Sequence, residues 1–174
     1  LLAVMMIITI LATDFFVLGS SLKTYAAQAT NEIEGYPNIY FSTYFKEGEN
    51  EVKQIEKSVK DKELKLYAKI GVNSDVDCLE DIQIQLKDNF DIISTNKGTI
   101  EGNTVKLNYI AAGSTVEVEL GIEPRLSNKI SADMLFKANI ELSAKYKNAD
   151  APEGEEIRAT SESIVKYQPD ETTE

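Results

Sequence analysis

The sequence predicts an all-β protein, an antiparallel β-sandwich, and three observations carry the prediction. Runs of apolar–polar alternation recur between residues 39 and 167, turn signals separate them, and no interval carries a clear amphipathic helical pattern. The cleanest run follows the turn at Gly113-Ser114. Val116, Val118, Leu120 and Ile122 fall on one phase, Glu117, Glu119, Gly121 and Glu123 on the other, and Pro124 ends it. Period-two alternation puts one face in an apolar core and the other in water, and proline stops a strand because it has no N–H to give the ladder. Alternation in place of continuous apolar runs argues against a parallel sheet.

Taken in order, residues 1–22 are almost wholly apolar with Asp14 the single charge. The uncharged run at residues 1–13 is well short of the roughly 20 residues that span a bilayer, so it predicts a signal-peptide helix. Ala27-Gln28-Ala29 has the small-x-small form that a signal peptidase accepts, which places cleavage after Ala29 with Ala27 and Ala29 as its recognition residues. Retention as a signal anchor is the alternative, with Asp14 costly in lipid. Residues 30–37 read as a polar, disordered lead-in. Residues 39–45 are dense in aromatic and β-branched side chains and form the first strand. Residues 47–62 fit a helix by Val52, Ile55 and Val59 or a strand face by Lys53, Ile55, Lys57 and Val59, and the strand is preferred because every neighbour is one.

Leu64, Leu66, Ala68, Ile70 and Val72 then alternate without a fault, followed by an acidic loop over 73–81. Ile82, Ile84 and Leu86, a turn at 87–89, and Phe90 and Ile92 come next. Asn96-Lys97-Gly98 and Glu101-Gly102-Asn103 are hairpin signals around a short strand. Val105, Leu107 and Tyr109 lead into the strand at 115–124, and a crossing loop covers 125–133. Phe136, Ala138, Ile140, Leu142, Ala144 and Tyr146 make the longest run. After a loop at 148–155, Ile157, Ala159, Ser161, Ser163, Val165 and Tyr167 complete the inward set. Seven to nine short strands at this spacing predict a sandwich of immunoglobulin-like type, without the Cys–Trp–Cys signature of antibody domains. The chain thus divides into 1–29 (signal peptide or anchor), 30–62 (lead-in and first strands), 63–167 (sandwich) and 168–174 (linker tail).

Composition narrows the chemistry. Eighteen basic against 29 acidic residues give a net charge of −11, and residues 1–29 contribute none of it. An acidic domain repels phosphate backbones and anionic lipid, so no nucleic-acid partner is expected, and membrane contact only through the N-terminal segment before cleavage. There is no histidine, and Cys78 is the one cysteine. The usual general base, the commonest transition-metal ligand and any internal disulfide are therefore missing. Asp75, Asp77, Glu80 and Asp81 lie within seven residues, but lack the glycine and the spacing of a twelve-residue calcium loop. Cys78, among carboxylates, is disfavoured as a thiolate. Lys65, Lys69, Lys106, Lys137 and Lys145 fall opposite the inward residues, so none is placed for an intramolecular amide cross-link. No catalytic residue, cofactor or metal is expected. Tyr36, Tyr40 and Tyr44 are the candidate ligand platform: exposed, such a row stacks on sugars; buried, it fills a core.

The segment 110–124, Ile-Ala-Ala-Gly-Ser-Thr followed by an alternating strand and proline, is similar to a motif of bacterial immunoglobulin-like surface modules. The leader at 12–26 resembles export segments of large Gram-positive, clostridial-type surface proteins. The resemblance covers residues 64–167 and implies an extracellular, wall-associated protein with further domains. The expected role is non-enzymatic, spacing or presenting neighbouring domains of the same polypeptide as an adhesion module, with a host or cell-wall glycan or protein as possible partner. The alternatives are a carbohydrate- or protein-binding sandwich in its own right and an accessory domain of a secreted hydrolase.

Overall fold

A computed structural model describes residues 32–61, 63–125 and 132–169. Over these the chain is all-β, with β1 (Glu32–Ile33), β2 (Tyr36–Glu47), β3 (Asn50–Val52), β4 (Gln54–Ser58), β5 (Leu64–Val72), β6 (Cys78–Asp88), β7 (Phe90–Thr95), β8 (Thr99–Glu101), β9 (Thr104–Ile110), β10 (Thr115–Pro124), β11 (Met134–Lys147) and β12 (Glu155–Gln168). One sheet has the order β1-β2-β5-β10-β7, with β3 also paired to β2, and the other the order β4-β12-β11-β6-β9-β8. Every described pairing is antiparallel except that of β4 with β12. The predicted N-terminal helix, the cleavage residues Ala27 and Ala29 and most of the linker tail lie outside the described residues.

The alternation does what it should. Leu64, Leu66, Ala68, Ile70 and Val72 of β5 are buried with Val118, Leu120 and Ile122 of β10. Ile82, Ile84 and Leu86 of β6 and Ala138, Ile140, Leu142 and Ala144 of β11 join them in one contiguous core. Burying each Leu or Ile contributes about 1.5–3 kcal/mol, so this β-sandwich-like pair of sheets is held chiefly by side chains that the sequence placed on one phase.

Four features differ from expectation, each for a local reason. Among the described residues twelve strands are present instead of seven to nine. β1 and β3, of two and three residues, are too short to carry a readable alternation, while β4 and β8 fall where a strand is expected, within 47–62 and between the two hairpin signals. Residues 32–37, expected as part of a disordered lead-in, form β1, a turn at Gly35 and the start of β2. β6 begins at Cys78, inside the predicted acidic loop. Asp81, with φ 50°, lies where the register of β6 with β11 shifts, between Ser143↔Gln83 and Lys145↔Glu80, and this extra residue buries Leu79 and Ile82 three apart instead of two. β9 keeps its register with β6 through that point, Leu79↔Ile110 and Ile82↔Leu107, so it changes phase with β6: Ile110 is buried and Tyr109, expected inward, is 56% exposed.

β2 and β12 run in the same direction on the two sheets. Tyr36 packs edge-on against Tyr146 at 4.9 Å and donates to Glu155 Oε2 at 3.0 Å, while Thr43 meets Ser161 and Ser163 further along. The first described residue, Glu32, lies beside Tyr40 and β1 runs from there to the pole at Tyr36, where β2 begins; β12 ends with Gln168 at the opposite pole. The 14 residues of β12 separate the poles, a span of roughly 45 Å at the usual strand rise.

Candidate functional site

Two polar constellations stand out, one between the sheets and one on the outer face of the first sheet. The first arises from a gap in pairing. β1 pairs β2 at Tyr36 and Tyr40, and β3 pairs it from Phe45 to Glu47. Thr43, between them, has no strand on its outer edge. An unpaired buried backbone group costs about 1–3 kcal/mol, and side chains supply the missing partners. Thr43 N–H donates to Ser161 Oγ at 3.0 Å, and Thr43 C=O accepts from Lys53 Nζ at 2.5 Å. Thr43 Oγ1 bonds Ser161 Oγ at 2.8 Å and Ser163 Oγ at 3.0 Å. Lys53 Nζ also donates to Ser161 Oγ at 3.0 Å. Its carbonyl accepts from Ile164 N–H at 2.8 Å.

Lys53 sits where the chain crosses from β3 to β4, that is, from one sheet to the other. Its half-buried amine has a pKa lowered by loss of hydration, and among the described residues it makes no ion pair. It opens on a groove of about 1010 Å³ that Glu47, Glu56, Thr160 and Glu162 also line. A serine beside a lysine of lowered pKa suggests a nucleophile and its base. Ser161 Oγ, however, already accepts from both Thr43 N–H and Lys53 Nζ. Both lone pairs are used and the residue is 6% exposed. The arrangement can tie strands together; it leaves no free lone pair for attack.

The second constellation contains the tyrosines singled out in the sequence. Spaced four apart on β2, Tyr36, Tyr40 and Tyr44 do not form one open row: Tyr40 and Tyr44 share the outward face, while Tyr36 turns to the other sheet. Tyr44 is fully buried, stacked on Tyr67 with centroids 5.6 Å apart, and its hydroxyl donates to Glu117. Tyr40 lies across its cross-strand partner Gly71, where an added Cβ would fall 1.8 Å from the ring, and its hydroxyl bonds Thr115 Oγ1. Tyr36 packs on Tyr146 at the far end. Around Tyr44, Lys46 reaches Glu117 at 2.8 Å and stands 4.0 Å over the Tyr67 ring, while Tyr67 donates to Glu119 at 3.1 Å and Lys65 pairs Glu119 at 2.9 Å. Burial and then Glu117 push the Tyr44 phenol far above its ordinary range. Lys46 and Tyr44 hold the Glu117 carboxyl below its usual value, and Lys65 does the same for Glu119.

The acidic loop resolves into separate contacts. Asp77 is buried and accepts from Asn38 at 3.3 Å, Asp81 pairs Lys145 at 2.7 Å and Glu80 pairs Lys147 at 2.7 Å. Among the described residues no group of three or more such side chains is arranged to hold a metal ion. Cys78 is half-buried. Lys65, Lys137 and Lys145 are exposed and Lys69 and Lys106 are half-exposed on the outer faces, as the alternation requires.

No protein-family profile and no curated protein matches the chain. The residues that sequence reasoning passed over are Thr43, Lys53, Ser161 and Ser163. A signal was present: hydroxyls occupy inward positions of the first and last long strands, where aliphatic residues would otherwise stand. What the pattern could not supply is that those strands face each other.

Proposed function

We propose that this chain is a non-enzymatic, extracellular structural module of a bacterial cell-surface protein, of immunoglobulin-like type, spacing or presenting neighbouring domains. The observation that carries the reading is the placement of the two ends of the fold. The first long strand, β2, starts beside Glu155 at one pole and the last, β12, ends with Gln168 at the other, with the length of β12 between them. A module in a linear array has to pass the chain from pole to pole in this way. Two further observations support it. The charged side chains of the faces are largely paired with one another, and the hydroxyls of Thr43, Ser161 and Ser163 between the sheets are bonded to one another. The partners are then the adjoining domains and, through them, a host or cell-wall glycan or protein.

Fractionation of the native host into membrane, wall and medium, with intact-mass analysis of the recovered protein, tests the proposal. A wall-retained product that starts at Thr30 and carries further domains is the expected result. A protein found in the cytoplasm with residues 1–29 attached would sink it.

A further inference from the structure

We infer that the Thr43–Lys53–Ser161–Ser163 cluster is a tension latch, which couples the first long strand, β2, to the last, β12. The inference deepens the spacer reading and rests on it for its biological meaning. In a spacer joined to domains on both sides the pull first meets β1, which pairs β2 through two residues only. Once β1 gives way, Tyr36 is pulled towards one pole and Gln168 towards the other. β2 and β12 lie parallel across the seam, so this load slides one past the other. The bonds from Thr43 to Ser161 and Ser163, 2.8–3.0 Å long, cross that seam. Sliding stretches them together and cannot open them one at a time.

The latch is doubled. Lys53 binds Thr43 C=O and Ser161 Oγ with its ammonium and Ile164 N–H with its own carbonyl, so the crossover itself is fastened to both strands. Directly below it, β4 pairs β12 in parallel from Ile164↔Gln54 to Gln168↔Ser58, and pulling Gln168 loads that ladder along its length as well. All three hydroxyl side chains are buried, with Ser163 and Thr43 at 0% exposure. Water therefore cannot readily replace the bonds as they lengthen, and a hydrogen bond weakens steeply once its geometry is lost. Forced unfolding follows the unfolding rate and not the equilibrium stability, so these contacts act on mechanical lifetime out of proportion to their number.

Single-molecule pulling on the full 174-residue chain, held between two handle domains, reads this directly. In the end-to-end geometry, the double variant Ser161→Ala, Ser163→Ala should unfold at least about tenfold faster at fixed force, tenfold corresponding to about 1.4 kcal/mol. In a second geometry, one handle is attached through Glu49→Cys, in a Cys78→Ala background, and the other at the C-terminal end. Both attachments then lie at one pole, the load peels the seam open, and the same double variant should change the rate less than about threefold. An unchanged end-to-end rate, or equal acceleration in both geometries, overturns the latch. If the double variant does not fold, the unsubstituted chain decides: equal unfolding forces in the two geometries overturn it too. The force data are independent of where the host keeps the protein, so the latch and the spacer reading fail separately.

Discussion

The two lateral seams of the molecule solve one problem at different sequence distances. On the β7–β8 side, the connection between sheets is made by Asn103. Its Nδ2 donates to Leu86 C=O and Phe90 C=O, both at 2.8 Å, and its Oδ1 accepts from Ile92 N–H at 2.6 Å. On the β2–β12 side, the Thr43–Ser161 contact does the corresponding work. The first seam closes a loop of 17 residues at most, the second one of 118. The difference in loop-closure entropy is about 1.7 kcal/mol, a cost the distant seam must meet before any of its bonds form. A local seam can be built by one amide side chain; the distant one uses three hydroxyls and a lysine.

Removing Asn103 should have the largest effect. Asn103→Ala deletes three hydrogen bonds to backbone groups, at roughly 0.5–1.5 kcal/mol each with an added penalty where those groups stay dry. A loss of about 2–4 kcal/mol in urea unfolding is expected. A loss below 1 kcal/mol would mean that water replaces the side chain and that the seam is wet.

Next in size is Thr43→Val, which keeps the shape of the side chain and removes its hydroxyl. Ser161 and Ser163 each lose a partner, and a loss of about 1–3 kcal/mol is expected. The informative measurement is the double-mutant cycle with Ser161→Ala. Residues in one hydrogen-bond network couple by about 0.5–3 kcal/mol, whereas Thr43→Val combined with Asn103→Ala, on opposite sides, should add. Additivity within the Thr43–Ser161 pair would show that the hydroxyls are satisfied separately.

These two seams also mark what could be read from the sequence. Glu101-Gly102-Asn103 is legible as a hairpin turn because a turn is a property of adjacent residues. The second task of Asn103, reaching back to Leu86 and Phe90, is not. The inward phases of β5, β10, β11 and β12 are legible since alternation is local. Tyr109 is misplaced because Asp81, on a different strand, bulges against β11, and β9 stays in register with β6 through the bulge and so changes phase with it. Ser161 and Ser163 are correctly placed inward, yet nothing within β12 announces Thr43 as their partner. The shared face of Tyr40 and Tyr44 is legible, while its closure by Tyr67, Gly71 and Glu117 depends on the register of three strands, and the turn of Tyr36 towards Tyr146 on the other sheet is not legible at all.

A pH dependence separates the seams from the outer face, because neither seam contains a carboxylate. Glu117 and Glu119 are held below the usual 4.5 by Lys46 with Tyr44 and by Lys65. Their folded pKa values are depressed, so the stability they supply is fully present above about pH 4.5 and is lost as pH falls through the folded values. The acid limb of a Tm–pH profile should therefore flatten in Glu117→Gln. The change should be modest and smaller at high salt, since the Lys46–Glu117 pair is solvent-screened. Thr43→Val should lower the whole profile and leave the acid limb parallel to that of the unsubstituted chain. If Thr43→Val changed that slope, the seam and the outer face would not be independent.

The smallest effect has the opposite sign. Tyr167, at the outgoing end of β12, is 0% exposed and packs edge-on to Phe136 at 5.5 Å. Its hydroxyl is the buried side-chain atom without a hydrogen-bond partner among the described residues. At both seams a buried polar atom is matched; here a phenol oxygen is desolvated with no return, and burial pushes its pKa above the ordinary tyrosine range. Tyr167→Phe keeps the ring contact and removes the unmatched atom, so it should raise stability by up to about 1 kcal/mol. Tyr44→Phe, which removes a hydroxyl bonded to Glu117, should lower it by a similar amount. Urea midpoints for the two variants, measured side by side, check the pair. Should both fall, the Tyr167 hydroxyl has a partner in solution, and the outgoing pole is more polar than its packing indicates.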